Sequence, residues 1–149
     1  MRARRVGTGC EFRLFQDEQE IGRVDGISVI FLGFATRADA ALAASIAHLA
    51  LTRRRGQKPQ AVTGPSDFLV MDHGSTQAVI APAGVLARLL PPASDESECG
   101  GWGFEISLLP EEEFEVFAIG QARVMWRALQ STGLDRRMQQ FRAGHLAAA

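Results

Sequence analysis

Short runs of alternating apolar residues, broken by turn formers and then followed by a helical stretch, recur three times along the chain. The units cover residues 10–55, 67–90 and 103–132. In the first, Phe12 and Leu14 alternate with Arg13 and Phe15, which predicts a strand over 10–16. A polar turn at 17–19 leads to a second strand over 20–24. Asp25-Gly26 is a two-residue hairpin signal, because both central positions of that turn favour positive φ. The third strand, 27–34, is apolar on both faces, with Ile27, Val29 and Phe31 on one and Ile30, Leu32 and Phe34 on the other. Such a strand belongs in the middle of a sheet and is expected to be covered twice, by helices or by a second subunit.

The helix that follows has Thr36 as its N-cap with Asp39 three residues on. Leu42, Ile46 and Leu49 recur at helical spacing and are expected to face the core. Ala40, Ala44, Ala47 and Leu51 form a second apolar side. Arg53, Arg54 and Arg55 complement the negative end of the helix dipole before Gly56. Residues 57–66, with Pro59, Gly64 and Pro65, read as a linker.

In the second unit, strands over 68–71 and 77–81 turn through Asp72-His73-Gly74-Ser75, Pro82 opens a short helix over 83–90, and Pro91-Pro92 ends it. An acidic, glycine-rich loop follows. In the third, Phe104, Ile106 and Leu108 alternate with Glu105 and Ser107, a strand over 114–119 returns, and a helix over 120–132 presents Ala122, Met125, Trp126 and Leu129 on one face. Gly133 is the C′ residue. Leu134, Met138 and Phe141 form the stripe of a last short helix, with Arg136, Arg137 and Arg142 outward and Gly144 at its end.

These elements predict one α+β domain over residues 1–149: an antiparallel or mixed sheet of about six or seven strands with two longer helices packed on it. Residues 1–9 are expected to be a flexible basic N-terminus and 145–149 a fraying C-terminus. With 46% hydrophobic and 22% charged residues the chain is ordinary globular, large enough to bury a core without disulfides or metals. A net charge of -1 supplies no long-range attraction to nucleic acid or an anionic membrane. Arginine supplies every basic residue except Lys58, and with the abundant alanine this suggests a GC-rich bacterial coding sequence. The arginines at the start precede no apolar run, and no stretch approaches the ~20 apolar residues of a membrane span, so a cytoplasmic location is the expectation.

Candidate chemistry is sparse. Cys10 and Cys99 have no neighbour at metal-ligand spacing, and Cys99 follows Asp95, Glu96 and Glu98, whose charge opposes a thiolate. His48 has no ligand partner three or four residues away. No phosphate loop, dinucleotide glycine pattern or nucleophile elbow occurs, so no cofactor is implied. Asp72, His73 and Ser75 could supply a base and a nucleophile, as a small hydrolase or transferase would need, but they equally spell a hairpin turn. Arg53, Arg54, Arg55 and Lys58 are the nucleic-acid alternative. What stands out is apolar surface, and the sequence therefore points to a non-enzymatic protein acting through protein–protein contacts, as a homodimer or a subunit of a small complex. Its expected contact surface is Leu134, Met138 and Phe141, with Ala40, Ala44, Ala47 and Leu51 second.

Overall fold

The computed structural model describes residues 1–7, 11–25, 28–54, 69–73, 76–81, 84–92, 101–107 and 114–148. Its strands are β1 (Arg2–Arg5), β2 (Glu11–Gln16), β3 (Gln19–Asp25), β4 (Ser28–Phe34), β5 (Leu69–His73), β6 (Thr76–Ala81), β7 (Gly84–Leu90) and β8 (Trp102–Ser107). The helices are α1 (Arg37–Arg54), α2 (Phe114–Ser131) and α3 (Leu134–Ala148). All eight strands join one sheet in the order β1-β2-β3-β4-β8-β7-β6-β5, and every neighbouring pair is antiparallel. The α+β class with an antiparallel sheet is as the hydrophobic pattern predicts, and the two-faced strand β4 lies centrally, between β3 and β8.

The threefold rhythm resolves into two halves. A four-stranded meander runs into α1, and a second four-stranded meander runs into α2. The strand order reads the same from either edge, with the β4–β8 pair at its centre. Each helix crosses that centre: α1 packs on β7 and β8 of the other half, α2 touches β3 and β4, and the two helices pack on each other.

Four expectations need correction. Residues 83–90 do not form a helix; Gly84–Leu90 is strand β7. Its burial alternates, with Ala87 and Leu89 buried and Arg88 exposed. Pairing with β6 and β8 overrides the helical preference of Ala, Leu and Arg. Residues 114–119 do not return as a strand but open α2, whose apolar stripe Ala118, Ala122, Met125, Trp126 and Leu129 is continuous. Arg2–Arg5, placed in a flexible N-terminus, pair with β2 as an edge strand, so the sheet exceeds the expected strand number. Finally, α3 continues past Gly144 to Ala148, through the alanines expected to fray.

Side-chain faces follow from register. Phe31 and Phe104 are opposite one another with ring centroids 5.7 Å apart, and Trp126 of α2 stacks on Phe31 at 5.9 Å. This places the helices on the face that also carries Leu14, Val24, Val29, Leu89 and Ile106, all buried. Burying a side chain such as Phe31 contributes roughly 1.5–3 kcal/mol. Strict alternation would put Phe34 on the far face with Ile30 and Leu32. A register shift between Leu32 and Phe34, with Gly33 at φ +102°, turns Phe34 back against Phe104 at 5.8 Å. Gly101 makes the irregularity compact: a Cβ there would come 2.7 Å from Gly33 Cα.

Candidate functional site

The residues expected to form a contact surface are mostly inside the molecule. Ala40, Ala44, Ala47, Leu51, Leu134 and Met138 are each no more than 2% exposed and belong to the single core cluster, while Phe141 is half-buried. This overturns their assignment as an exposed interface. In α1 the roles of the two apolar sides are exchanged: the alanines face inward and Leu42, Ile46 and Leu49 are half-buried at the flank. Small side chains let α1 approach both the sheet and α2 closely, and the bulkier residues then fit only at the margin. Leu134 and Met138 complete the core from α3, which packs on α2 and β4.

The other candidates are not assembled into a site by the described residues. Asp72 and His73 are the last two residues of β5, paired with Gln77 and Thr76, and Ser75 lies outside the described residues. Arg53 and Arg54 end α1, whereas Arg55 and Lys58 lie outside the described residues, as do Cys10 and Cys99. His48 is half-buried on α1. Among the described residues no three His, Cys, Asp or Glu side chains converge as metal ligands.

A feature that the sequence reading did not single out emerges on the sheet face turned away from the helices. Among the described residues no helix covers that face. The register runs one row across all eight strands: Arg4, Arg13, Arg23, Ile30, Glu105, Arg88, Ala78 and Met71. Arg4, Arg13 and Arg88 are exposed, and Arg23 and Glu105 are half-buried. Beside it runs a shorter row, Glu11, Asp25, Ser28 and Ser107. Ser28 Oγ donates to Glu105 Oε2 at 3.4 Å, tying the two rows together at the centre of the sheet. On the other side lie Arg2, Phe15, Leu32, Gly103 and Leu90. Arg2 and Arg4 both stand over the Phe15 ring, with guanidinium carbons 5.7 Å and 5.3 Å from its centroid.

Like charges face one another across the strands of this face. Arg4 is directly opposite Arg13, and Arg13 is opposite Arg23, each a destabilising like-charge cross-strand pair. Among the described residues Arg13, Arg23 and Arg88 form no ion pair, nor do Glu11 and Asp25, whereas Arg137 pairs with Asp39 in the helical layer. Arg23 Nε is buried and meets no acceptor. Ile30, only 4% exposed, is set apart from the main core in the middle of the arginine row. The face thus combines arginines, neighbouring carboxylates and apolar side chains, a mixture that protein interfaces favour.

Of these arginines the hydrophobic alternation marks only Arg13, between Phe12 and Leu14. The sequence holds no signal for the register that aligns them. Comparison with known proteins finds no family model matching the chain, and no curated protein or solved structure that matches it. No described helix is long and apolar enough to cross a membrane.

Proposed function

We propose that this protein is a non-enzymatic interaction module of the bacterial cytoplasm that binds another polypeptide through the open face of its sheet. The observation that carries the reading is the asymmetry of the sheet among the described residues: helices cover one face, and the other carries Arg13, Arg23 and Arg88, which form no ion pair among those residues, beside the half-buried Leu32. Arginine and apolar groups on a rigid surface suit a folded protein partner. They suit nucleic acid less well. Glu105, Glu11 and Asp25 lie among the arginines and would meet a phosphate backbone unfavourably, and Phe15, the aromatic on the face, is already engaged by Arg2 and Arg4.

The test uses charge reversal at exposed positions. Arg13→Glu with Arg88→Glu is expected to abolish co-purification of the bound polypeptide while leaving the circular dichroism spectrum unchanged. Arg127→Glu, exposed on α2, should leave co-purification intact. Equal retention by all three proteins would count against the open face as the contact surface.

A further inference from the structure

We infer that the polypeptide bound to the open face is a second copy of this chain, docked face to face about a two-fold axis that runs across the strands. The inference rests on the proposed interaction role and names the partner. Its basis is the charge pattern of two adjacent rows. Arg13 and Arg23 occupy one, and Glu11 and Asp25 occupy the next, on the same two strands and in the same order. A two-fold axis lying between the rows, parallel to them, exchanges one row for the other. It sets Arg13 of one protomer against Glu11 of the partner subunit, and Arg23 against Asp25 of the partner subunit. The symmetry then repeats both contacts, giving four opposite-charge pairs from four residues of each protomer. An isologous interface requires this kind of self-complementarity.

Three further observations favour this occupant. None of the four side chains forms an ion pair among the described residues, although Glu11 and Arg13 are two apart on one strand, as are Arg23 and Asp25. Glu11, Arg13 and Asp25 are exposed and Arg23 is half-buried. The area is also adequate. Eight strands of about six residues span roughly 38 Å by 20 Å, or about 750 Å². That is close to the ~800 Å² per partner of a stable interface. Moreover, a chain of net charge -1 carries no appreciable repulsion against its own copy, so local pairing decides the approach.

Docking in this way gives Arg13 and Arg23 carboxylate partners that they do not have among the described residues. The axis also passes over β4, where Leu32 is half-buried while Ser28 and Ile30 are already buried within the chain. Sheets packed face to face sit ~10 Å apart, a gap that arginine and glutamate side chains bridge from opposite sides.

The inference is tested by charge-swap complementation, read as mass by light scattering at low salt. Wild-type protein is expected to have twice the mass of one chain. Variant A, Arg13→Glu with Arg23→Glu, places glutamates against Glu11 and Asp25 of its copy and should run as a single chain. Variant B, Glu11→Arg with Asp25→Arg, places arginine against arginine and should do the same. Mixed in equal amounts, A and B should regain the doubled mass, because every facing pair is then of opposite sign. Circular dichroism confirms that A and B are folded; should either be unfolded, the single substitutions Arg13→Glu and Glu11→Arg replace them, with the same expectation. A wild-type protein with the mass of one chain, dimeric A or B, or a mixture that stays monomeric would each overturn the inference. A monomeric wild type that still retains a different polypeptide through Arg13 and Arg88 would remove the second copy and leave the interaction role standing.

Discussion

Trp126 lies flat against Phe31, ring centroids 5.9 Å apart and planes 17° from parallel, while its Nε1 donates to Gln16 Oε1 at 3.2 Å. One side chain from α2 thus fastens the helical layer to β4 through its ring and to the end of β2 through its polar edge. Trp126 is 2% exposed, so Trp126→Ala should cost about 3–5 kcal/mol in urea unfolding. Trp126→Phe keeps an aromatic against Phe31 and loses the hydrogen bond, and should cost about 1–2 kcal/mol. Equal losses for the two variants would show that the stacked ring is not the main contribution.

Two glycines should respond to alanine in opposite directions. A Cβ on Gly22 would fall 2.1 Å from the carbonyl oxygen of Ile30, a backbone atom of the neighbouring strand that cannot swing aside. Gly22→Ala is therefore expected to cost about 3 kcal/mol or more by forcing β3 and β4 apart. Gly120, inside α2, has nothing within 4 Å of the corresponding position. Gly120→Ala should raise stability by about 0.5–1 kcal/mol, since it removes only the entropic cost of glycine in a helix. Thermal unfolding of the pair reads both signs.

At the start of α1, Thr36 Oγ1 accepts the Asp39 N–H at 3.1 Å, and the Asp39 carboxylate pairs with Arg137 of α3 at 2.8 Å. The cap and the ion pair are expected to differ in weight. Thr36→Ala should cost about 1 kcal/mol, because it strands a helix N–H. Arg137 is 58% exposed, so solvent screens the pair and Arg137→Ala should cost less than about 0.5 kcal/mol. A larger loss from Arg137→Ala than from Thr36→Ala in chemical denaturation would reverse this ranking.

Met138→Glu separates a core residue from a contact residue. On the sequence reading it would yield a folded protein with altered assembly. Met138 is 2% exposed within the core cluster, so a glutamate there buries a charge or opens the α2–α3 packing. The expected result is loss of more than about 3 kcal/mol, seen as a collapse of the cooperative unfolding transition. A folded Met138→Glu protein of unchanged stability would contradict the burial.

What the sequence reveals here is local, and what it hides is relational. The alternation in β2, β3 and β8, the central position of the two-faced β4, the Thr36 cap and the Gly133 helix end are each written within a few residues. Gly133 has a φ of +79°, as a C′ glycine requires. Residues 84–90 mislead because Val, Leu, Ala and Arg suit either a helix or a strand, and only the neighbours β6 and β8 decide. The apolar excess on α1 and α3 is real, but among the described residues both halves, α2 and α3 absorb it into one core cluster. Counting greasy positions along a chain does not reveal that two meanders meet at β4 and β8 and share helices across the seam. The arginine row is the same problem in reverse. Arg13, Arg23 and Arg88 are 75 residues apart at their extremes and are aligned only by strand register.

The most direct measurement of the claim that the open sheet face is the binding face is site-specific photo-crosslinking in cells that express the protein. One crosslinker replaces Ser107, exposed on the open face, and another replaces Arg127, exposed on the helical layer. The account predicts a discrete polypeptide adduct from position 107 and none from position 127. An adduct from position 127 alone, equal adducts from both, or crosslinks from position 107 to nucleic acid would contradict it.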